Sequence, residues 1–344
     1  MKNLSRREFI KLSGTAAAAG VLAGCGILPE PKPSREDVLK WYPDTPNSKV
    51  VRTVHSGAWD GEDLVPDVMR QMLDASITQL TGLEEARDAW EVLFSPEERI
   101  AIKVNSIRGA ATHPELVMAL TDCLQDAGVP AEQIVIFDRN TKELEGESYP
   151  VNVDGPGVRC YGSGENWGMA GNYTPGWTLL GTAIRISDIL LECDALINVP
   201  VLKRGGTGMG ISFAMKNHYG TFDPPGPFHG SRFERAIPEL NALPPIRDRT
   251  RLTIGDALTT RTYNGLKDRY EVVAVGNTVL MSFDPVAFDT VGLQMVVDRL
   301  TADERESLAR TTTKQAEPWL AVGAEIGLGT NDPANMDLVE VDLG

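Results

Sequence analysis

The chain has 344 residues, 42% hydrophobic and 24% charged, which suits one large globular domain or two lobes and excludes a low-complexity polymer. A formal net charge of −15 excludes a nucleic-acid footprint and disfavours anionic lipid headgroups as partners of the body. Four cysteines, Cys25, Cys123, Cys160 and Cys193, include no Cys-x-x-Cys spacing, so neither a zinc ribbon nor an iron–sulfur cluster is expected in this chain.

The N-terminus reads as an address. Ser5-Arg6-Arg7-Glu8-Phe9-Ile10-Lys11 resembles a twin-arginine export signal, recognised by the translocase that moves folded proteins. The Ala/Gly-rich run from Leu12 to Ala23 is about half the length that spans a bilayer. Leu22-Ala23-Gly24-Cys25 resembles the bacterial lipobox, whose cysteine is cleaved to the new N-terminus and diacylated. The expectation is a signal over residues 1–24, a lipid on Cys25, and a body acting in the cell envelope, facing the periplasm or the exterior. The signal carries Lys2, Arg6, Arg7 and Lys11 against Glu8, so the mature chain sits near −18 and its membrane contact must come from the lipid.

Pro29, Pro31, Pro33, Pro43 and Pro46 then mark residues 25–49 as an extended tether, leaving 50–344 as a single α/β domain. Val50–Val54 is a β-branched strand, and Leu64–Leu80 has helical periodicity through Val65, Val68, Met69, Met72 and Leu73. Ser95-Pro96-Glu97-Glu98 marks a turn. The strand Ile100–Asn105, the helix opened by Pro114 and closed at Gly128, and the strand Ile134–Asp138 form a parallel β-α-β unit. Residues 146–178 read as a long loop, in which Trp167, Tyr173 and Trp177 either line a pocket or anchor the loop to the body. A strand over Ala195–Val199 stops at Pro200. A Pro-rich insertion follows over 223–250, then strands at 252–256 and 272–280 and helices at 287–300 and 319–326. The predicted fold is α/β, with a mainly parallel central sheet flanked by helices and two loop-rich insertions.

In such sheets ligands bind beyond the carboxyl ends of the strands. The residues there are Asn105 and Arg108, Asp138 and Arg139, Lys203 and Arg204, and Asp256. The densest cluster runs Lys203-Arg204-Gly205-Gly206-Thr207-Gly208-Met209-Gly210, followed by Lys216-Asn217-His218. Glycines allow close backbone approach, and a following helix would aim its N-terminus at an anion. No Gly-Lys-Ser/Thr follows at Walker A spacing. Asp256, Asp284 and Asp289 could hold a divalent cation or act as a base; Asp284, just before Pro285, could equally cap a helix. His218 and His229 are too loosely spaced to define a metal site, so none is assigned.

Ile197-Asn198-Val199-Pro200-Val201-Leu202-Lys203, Thr207-Gly208 and Ala214-Met215-Lys216-Asn217-His218-Tyr219-Gly220 together resemble the core signature of the domain of unknown function 362 family. Ile102-Lys103-Val104-Asn105 with Pro114-Glu115-Leu116, Ile254-Gly255-Asp256, Asp284-Pro285-Val286-Ala287-Phe288-Asp289 and Gly327-Leu328-Gly329 extend the likeness over roughly residues 50–342. The resemblance fixes no activity. Some members are fused to ferredoxin-type modules, which implies redox company and a redox partner protein, although this chain carries no such module. Members commonly place a histidine shortly after the lysine of the first motif; Gly205 stands near that place here, so its role would pass to His218 or His229.

The leading expectation is therefore an enzyme acting on a small anionic substrate or cofactor. Lys203, Arg204, Gly206, Thr207, Gly208 and Lys216 would bind the anion, with Arg108 nearby and Asn105 and Asn217 orienting it. Asp256 and His218 would transfer protons. The rivals are a tethered binding protein without turnover and an assembly subunit of an exported redox complex. An enzyme should show Asp256 and His218 facing Lys203 across a closed pocket, and the anion site requires Lys203 and Lys216 to share a cavity.

Overall fold

The computed structural model describes residues 33–41, 43–107, 109–164, 171–206, 208–264 and 269–344. Arg6, Arg7, Cys25, Arg108, Thr207 and Trp167 lie outside the described residues. No helix among the described residues is long and apolar enough to cross a membrane.

Apolar runs form strands with side chains alternating between two faces. β1 (Ser48–Val54) sends Val50 and Val51 into different clusters of buried residues. Two short strands, β2 (Trp59–Asp60) and β3 (Asp63–Leu64), form a small hairpin. In β4 (Ile100–Lys103), Ala101 faces one cluster and Ile100 and Ile102 the other; β5 (Ile134–Phe137) divides Val135 and Phe137 from Ile134 and Ile136 in the same way. The sheet therefore has a core on each side. The Pro66–Thr81, Ala86–Leu93 and Pro114–Asp126 helices close one core, and the Phe233–Asn241, Pro285–Ala302 and Glu306–Glu325 helices close the other.

Beyond β6 (Arg159–Cys160), strands β7 (Tyr173–Leu179), β8 (Thr182–Ser187) and β12 (Phe222–Asp223) make a small antiparallel sheet. The main sheet gains β9 (Ala195–Asn198), β10 (Val201–Arg204), β11 (Ile211–Ser212), β13 (Thr250–Asn264), β14 (Arg269–Ser282) and β15 (Met336–Asp342). Its order is β15-β1-β14-β13-β9-β4-β5-β6, with β10 on β13 and β11 on β10. Most pairs are parallel; β14 runs antiparallel to both β1 and β13, and β11 to β10. The predicted α/β class holds.

Several boundaries differ from expectation. Part of the stretch expected as a tether belongs to the body: Arg35–Val38 is a helical turn packed on it. There the Arg35 guanidinium bonds both Glu98 oxygens at 2.8 and 3.1 Å, and Val38 and Leu39 pack on the core. The loop read over 146–178 ends in β7, where Trp177 packs on the core and Tyr173 pairs with Ser187. The 223–250 insertion holds a nine-residue helix whose Phe233, Ala236, Ile237 and Leu240 are buried. The strand before Pro200 ends as expected, at Asn198, and a separate strand, β10, starts at Val201; both run along β13, and the Pro200 carbonyl accepts from Asp256 N at 2.8 Å. The last helix starts at Glu306 and passes through Pro318, carried by the burial of Ala309, Thr312, Ala316 and Trp319. β15 is half-exposed and alternates acidic with apolar residues, without the apolar run that marks a buried strand. Cys123, Cys160 and Cys193 are buried free thiols whose pKa values burial raises.

Candidate functional site

β4 and β5 lie side by side, Lys103 opposite Phe137, and both end at a cavity of about 500 Å3. Asn105, Asp138 and Arg139 reach it from these strand ends, and Lys216, Asn217 and Gly220 from the opposite wall. This is where the loops of a parallel sheet converge on a ligand.

Behind the wall is a buried ion pair that the sequence reading did not assign. Lys103 is fully buried, and its Nζ lies 2.7 Å from Asp138 Oδ1 and donates to the Val104 carbonyl at 2.6 Å. Asp138 Oδ2 accepts from Ser106 N at 2.7 Å and Ser106 Oγ at 2.8 Å. Burial opposes the charge on Asp138, yet Lys103 and Ser106 outweigh it and hold the carboxyl below the usual range. Burial also pushes the Lys103 ammonium down, with Asp138 working against it. A lysine inside the apolar run Ile100-Ala101-Ile102-Lys103 is the signal that could have revealed this pair, since buried lysines need a partner.

A relay of amides crosses from the pair's neighbourhood to the opposite wall. Lys203 Nζ donates to Asn105 Oδ1 at 2.7 Å, and Asn105 Nδ2 to Asn217 Oδ1 at 3.2 Å. Asn217 Nδ2 donates to Asn198 Oδ1 at 2.8 Å, and Asn198 Nδ2 to the Ala214 carbonyl at 2.9 Å. Each amide is oriented by the one before it, with the Lys203 ammonium as the first donor. Lys203 is itself buried, and its pKa is pushed down to about 7 by desolvation and then by Arg261.

Lys216 differs from both other lysines. Its side chain is 8% exposed and lines the cavity, with Nζ 3.3 Å from the centre of the Tyr219 ring and 5.4 Å from that of Phe233. Among the described residues it has no carboxylate partner. Burial, then Lys203, Arg139 and Lys103, holds its pKa well below the ordinary lysine value. Arg139 is paired with Glu143 at 2.6 Å, so among the described lysines and arginines lining the cavity Lys216 is the one without a carboxylate. His229 lines the same cavity from an exposed position, its Nδ1 2.9 Å from the Pro225 carbonyl. Gly220 is required where the chain passes the ion pair: a Cβ there would sit 2.7 Å from Lys103 Nζ and collide with Asp138 Oδ1.

Residues 100–294 match the family described as Domain of unknown function (DUF362). The chain belongs to this family. No curated protein matches it. Among solved structures, the lactate racemase apoprotein from Thermoanaerobacterium thermosaccharolyticum is similar at 12% identity with a TM-score of 0.35. That likeness covers 68% of this chain and 54% of the other, so the chain spans about half the length of the structure it matches.

In this DUF362 protein the expected site residues fall into separate groups. Asn105, Lys216 and Asn217 line the cavity; Lys203 does not, so the two lysines do not share it as expected, and Lys203 touches the site only by donating to Asn105. Arg204 turns away, donating from Nε to Thr312 Oγ1 at 3.2 Å. Gly206 packs against Tyr263, and Gly208 adopts a positive φ of 93° beside Phe233. The glycine run is the loop of a hairpin from β10 to β11, closed by Gly205 N donating to the Gly210 carbonyl at 2.8 Å. It does not lead straight into a helix. The Ala214–Asn217 helix that follows already has its N-terminus filled: Ala214 N and Met215 N donate to the Asp289 carboxylate at 2.6 and 2.9 Å. Asp284 is a helix cap, accepting from Val286 N and Ala287 N at 2.8 Å.

The structure does not bring Asp256 and His218 together. Asp256 lies within the long β13, where its Oδ2 is 2.7 Å from both His113 N and His113 Nδ1. His113 Nε2 faces Arg261 Nη2 at 3.2 Å. Burial works against a charged His113, and Asp256 more than offsets it, raising its pKa. His218 lines a separate cavity of about 80 Å3, with Nδ1 unpartnered and its pKa pushed down to about 3 by burial and Lys103. An imidazole that cannot hold a proton at neutral pH is no general acid. The cavity's accessible imidazole is His229. Among the described residues no group of three or more His, Cys, Asp or Glu is placed to hold a metal.

Proposed function

We propose that this DUF362 protein is an exported lipoprotein, anchored through Cys25, whose cavity binds a small anion and acts on it as an enzyme. One observation carries the reading: Lys216 is buried in the cavity wall with aromatic rings beneath it and no carboxylate partner among the described residues. Burying a charge without a counter-charge is costly, so an arriving anion supplies what the protein leaves out. Lys103 and Arg139 are balanced by Asp138 and Glu143, so the natural complement is a single negative charge. Asn105 and Asn217 would orient it, Lys203 would hold Asn105 in register, and His229 is placed to exchange protons with it. A bound anion raises the Lys216 pKa, so binding takes up a proton and weakens as pH rises.

Thermal denaturation with inorganic phosphate and with acetate tests the pocket. An anion at a hundredfold its Kd stabilises by about 2.7 kcal/mol, and Lys216→Gln should abolish that response. An unchanged response in the variant refutes the reading. Turnover distinguishes the enzyme from a tethered binding protein or an assembly subunit, and loss of the protein from the membrane fraction on Cys25→Ala tests the anchor.

A further inference from the structure

Three lysines are buried in and around this site, and each is held differently. Lys103 has the Asp138 carboxylate at 2.7 Å. Lys203 has two oxygen acceptors, Asn105 Oδ1 at 2.7 Å and the Ala110 carbonyl at 3.1 Å. Lys216 has an aromatic floor, the faces of Tyr219 and Phe233, and an open side toward the cavity. A ring face can accept from one N–H but cannot satisfy an ammonium with three. Burial and the neighbouring cations both favour the free amine when the cavity is empty. These are the conditions under which a lysine amine becomes a nucleophile toward carbonyl carbon: desolvation and another cation nearby.

We propose that Lys216 forms an imine with the ketone carbon of a small 2-oxo carboxylate. The proposal rests on the anion-pocket reading and specifies what kind of anion enters. The amine lone pair attacks the carbonyl carbon, and a C–N bond forms as the C=O π electrons move to oxygen. The oxygen leaves as water with the two amine hydrogens, and one proton from solvent converts the imine to an iminium. No oxidant or reductant is consumed, and hydrolysis reverses the step.

Charge selects the substrate class. The iminium nitrogen stands where the ammonium would, so a carboxylate on the adjacent carbon neutralises it inside the cavity. A simple ketone or aldehyde would bury the iminium without a counter-charge, with Lys203, Arg139 and Lys103 all opposing it. The cavity of about 500 Å3 accommodates a compact metabolite.

The test uses pyruvate as the carbonyl probe and propionate as its counterpart without the ketone. The protein is incubated with pyruvate, reduced with borohydride and weighed by intact-mass spectrometry. The expected result is one adduct with the mass of pyruvic acid less one oxygen atom, mapped by peptide sequencing to Lys216. Lys216→Arg should lose the adduct, and in the wild-type protein propionate should raise the melting temperature. Stabilisation by propionate with no pyruvate adduct overturns the imine and leaves the anion pocket standing. An adduct confined to Lys203 or to surface lysines overturns the assignment to Lys216. Failure of both probes to shift the melting temperature or form the adduct overturns the imine and the anion pocket together.

Discussion

Replacing Asp138 with Asn tests whether the wall of the site is built on the buried ion pair. The carboxylate accepts from Lys103 and twice from Ser106, and both charged side chains are essentially out of solvent. In Asp138→Asn one amide oxygen can still serve Ser106, but the ammonium of Lys103 loses its counter-charge and faces an N–H donor or a neutral oxygen. Breaking a buried pair on one side costs about 3–5 kcal/mol, a large part of the roughly 5–15 kcal/mol that holds a domain folded. Urea unfolding followed by tryptophan fluorescence should show that loss at neutral pH. The double variant Lys103→Met/Asp138→Leu, which removes both charges, should recover most of it. The sign with pH is fixed: the Asp138 carboxyl is held below its usual range, so its contribution is present above that range and fades as pH falls through the folded value. The gap between wild type and Asp138→Asn should therefore narrow in acid. A cost below about 1 kcal/mol at neutral pH would refute the reasoning, because only a solvent-screened pair is worth so little.

Three more outcomes are expected. Gly220→Ala should cost about 1–3 kcal/mol by driving a methyl into the Lys103–Asp138 pair; wild-type stability by calorimetry would refute the contact. Glu98 ties Arg35, Arg251 and Ser95 N together, and its pKa is lowered to about 2, with those partners outweighing burial. Glu98→Gln should therefore cost about 2 kcal/mol at neutral pH, after allowance for partial exposure, and the difference should disappear as pH falls from 4.5 toward 2. Asp289→Asn should cost about 1–3 kcal/mol by leaving one of Ala214 N and Met215 N without an acceptor, measured by denaturant midpoint.

Much of the scaffold was legible because period and punctuation are local. Ile100–Lys103 and Ile134–Phe137 are short apolar runs with a Pro-initiated helix between them, and that pattern predicts a parallel pair with its ligand end at Asn105 and Asp138. Asp284 before Pro285 was readable as either a cap or a ligand, and the structure makes it a cap. Lys216 and Asn217 were legible as candidates because charge in an acidic chain is concentrated around them, and both line the cavity. The glycine loop misled, since glycines that serve a hairpin and glycines that cradle an anion have one composition. The last helix was placed too late for a related reason: the local cost of Pro318 is offset by burial of the helix face, which is not local.

The sequence by itself determined the α/β class and the parallel unit whose strand ends open on the cavity, and named Asn105, Lys216 and Asn217 as candidates that line it. Only the tertiary structure decided the partners. It placed Asp256 on His113, 143 positions away in the chain, and left His218 in a different cavity. It gave Asp289 to the helix N-terminus expected to greet an anion, and Asp138 to Lys103. Lys216 was left facing the cavity without a carboxylate. The physical reason is that a charge's role depends on which opposite charge burial brings within hydrogen-bond reach. In these pairs that choice is made across the sheet, between residues that no window of the sequence contains.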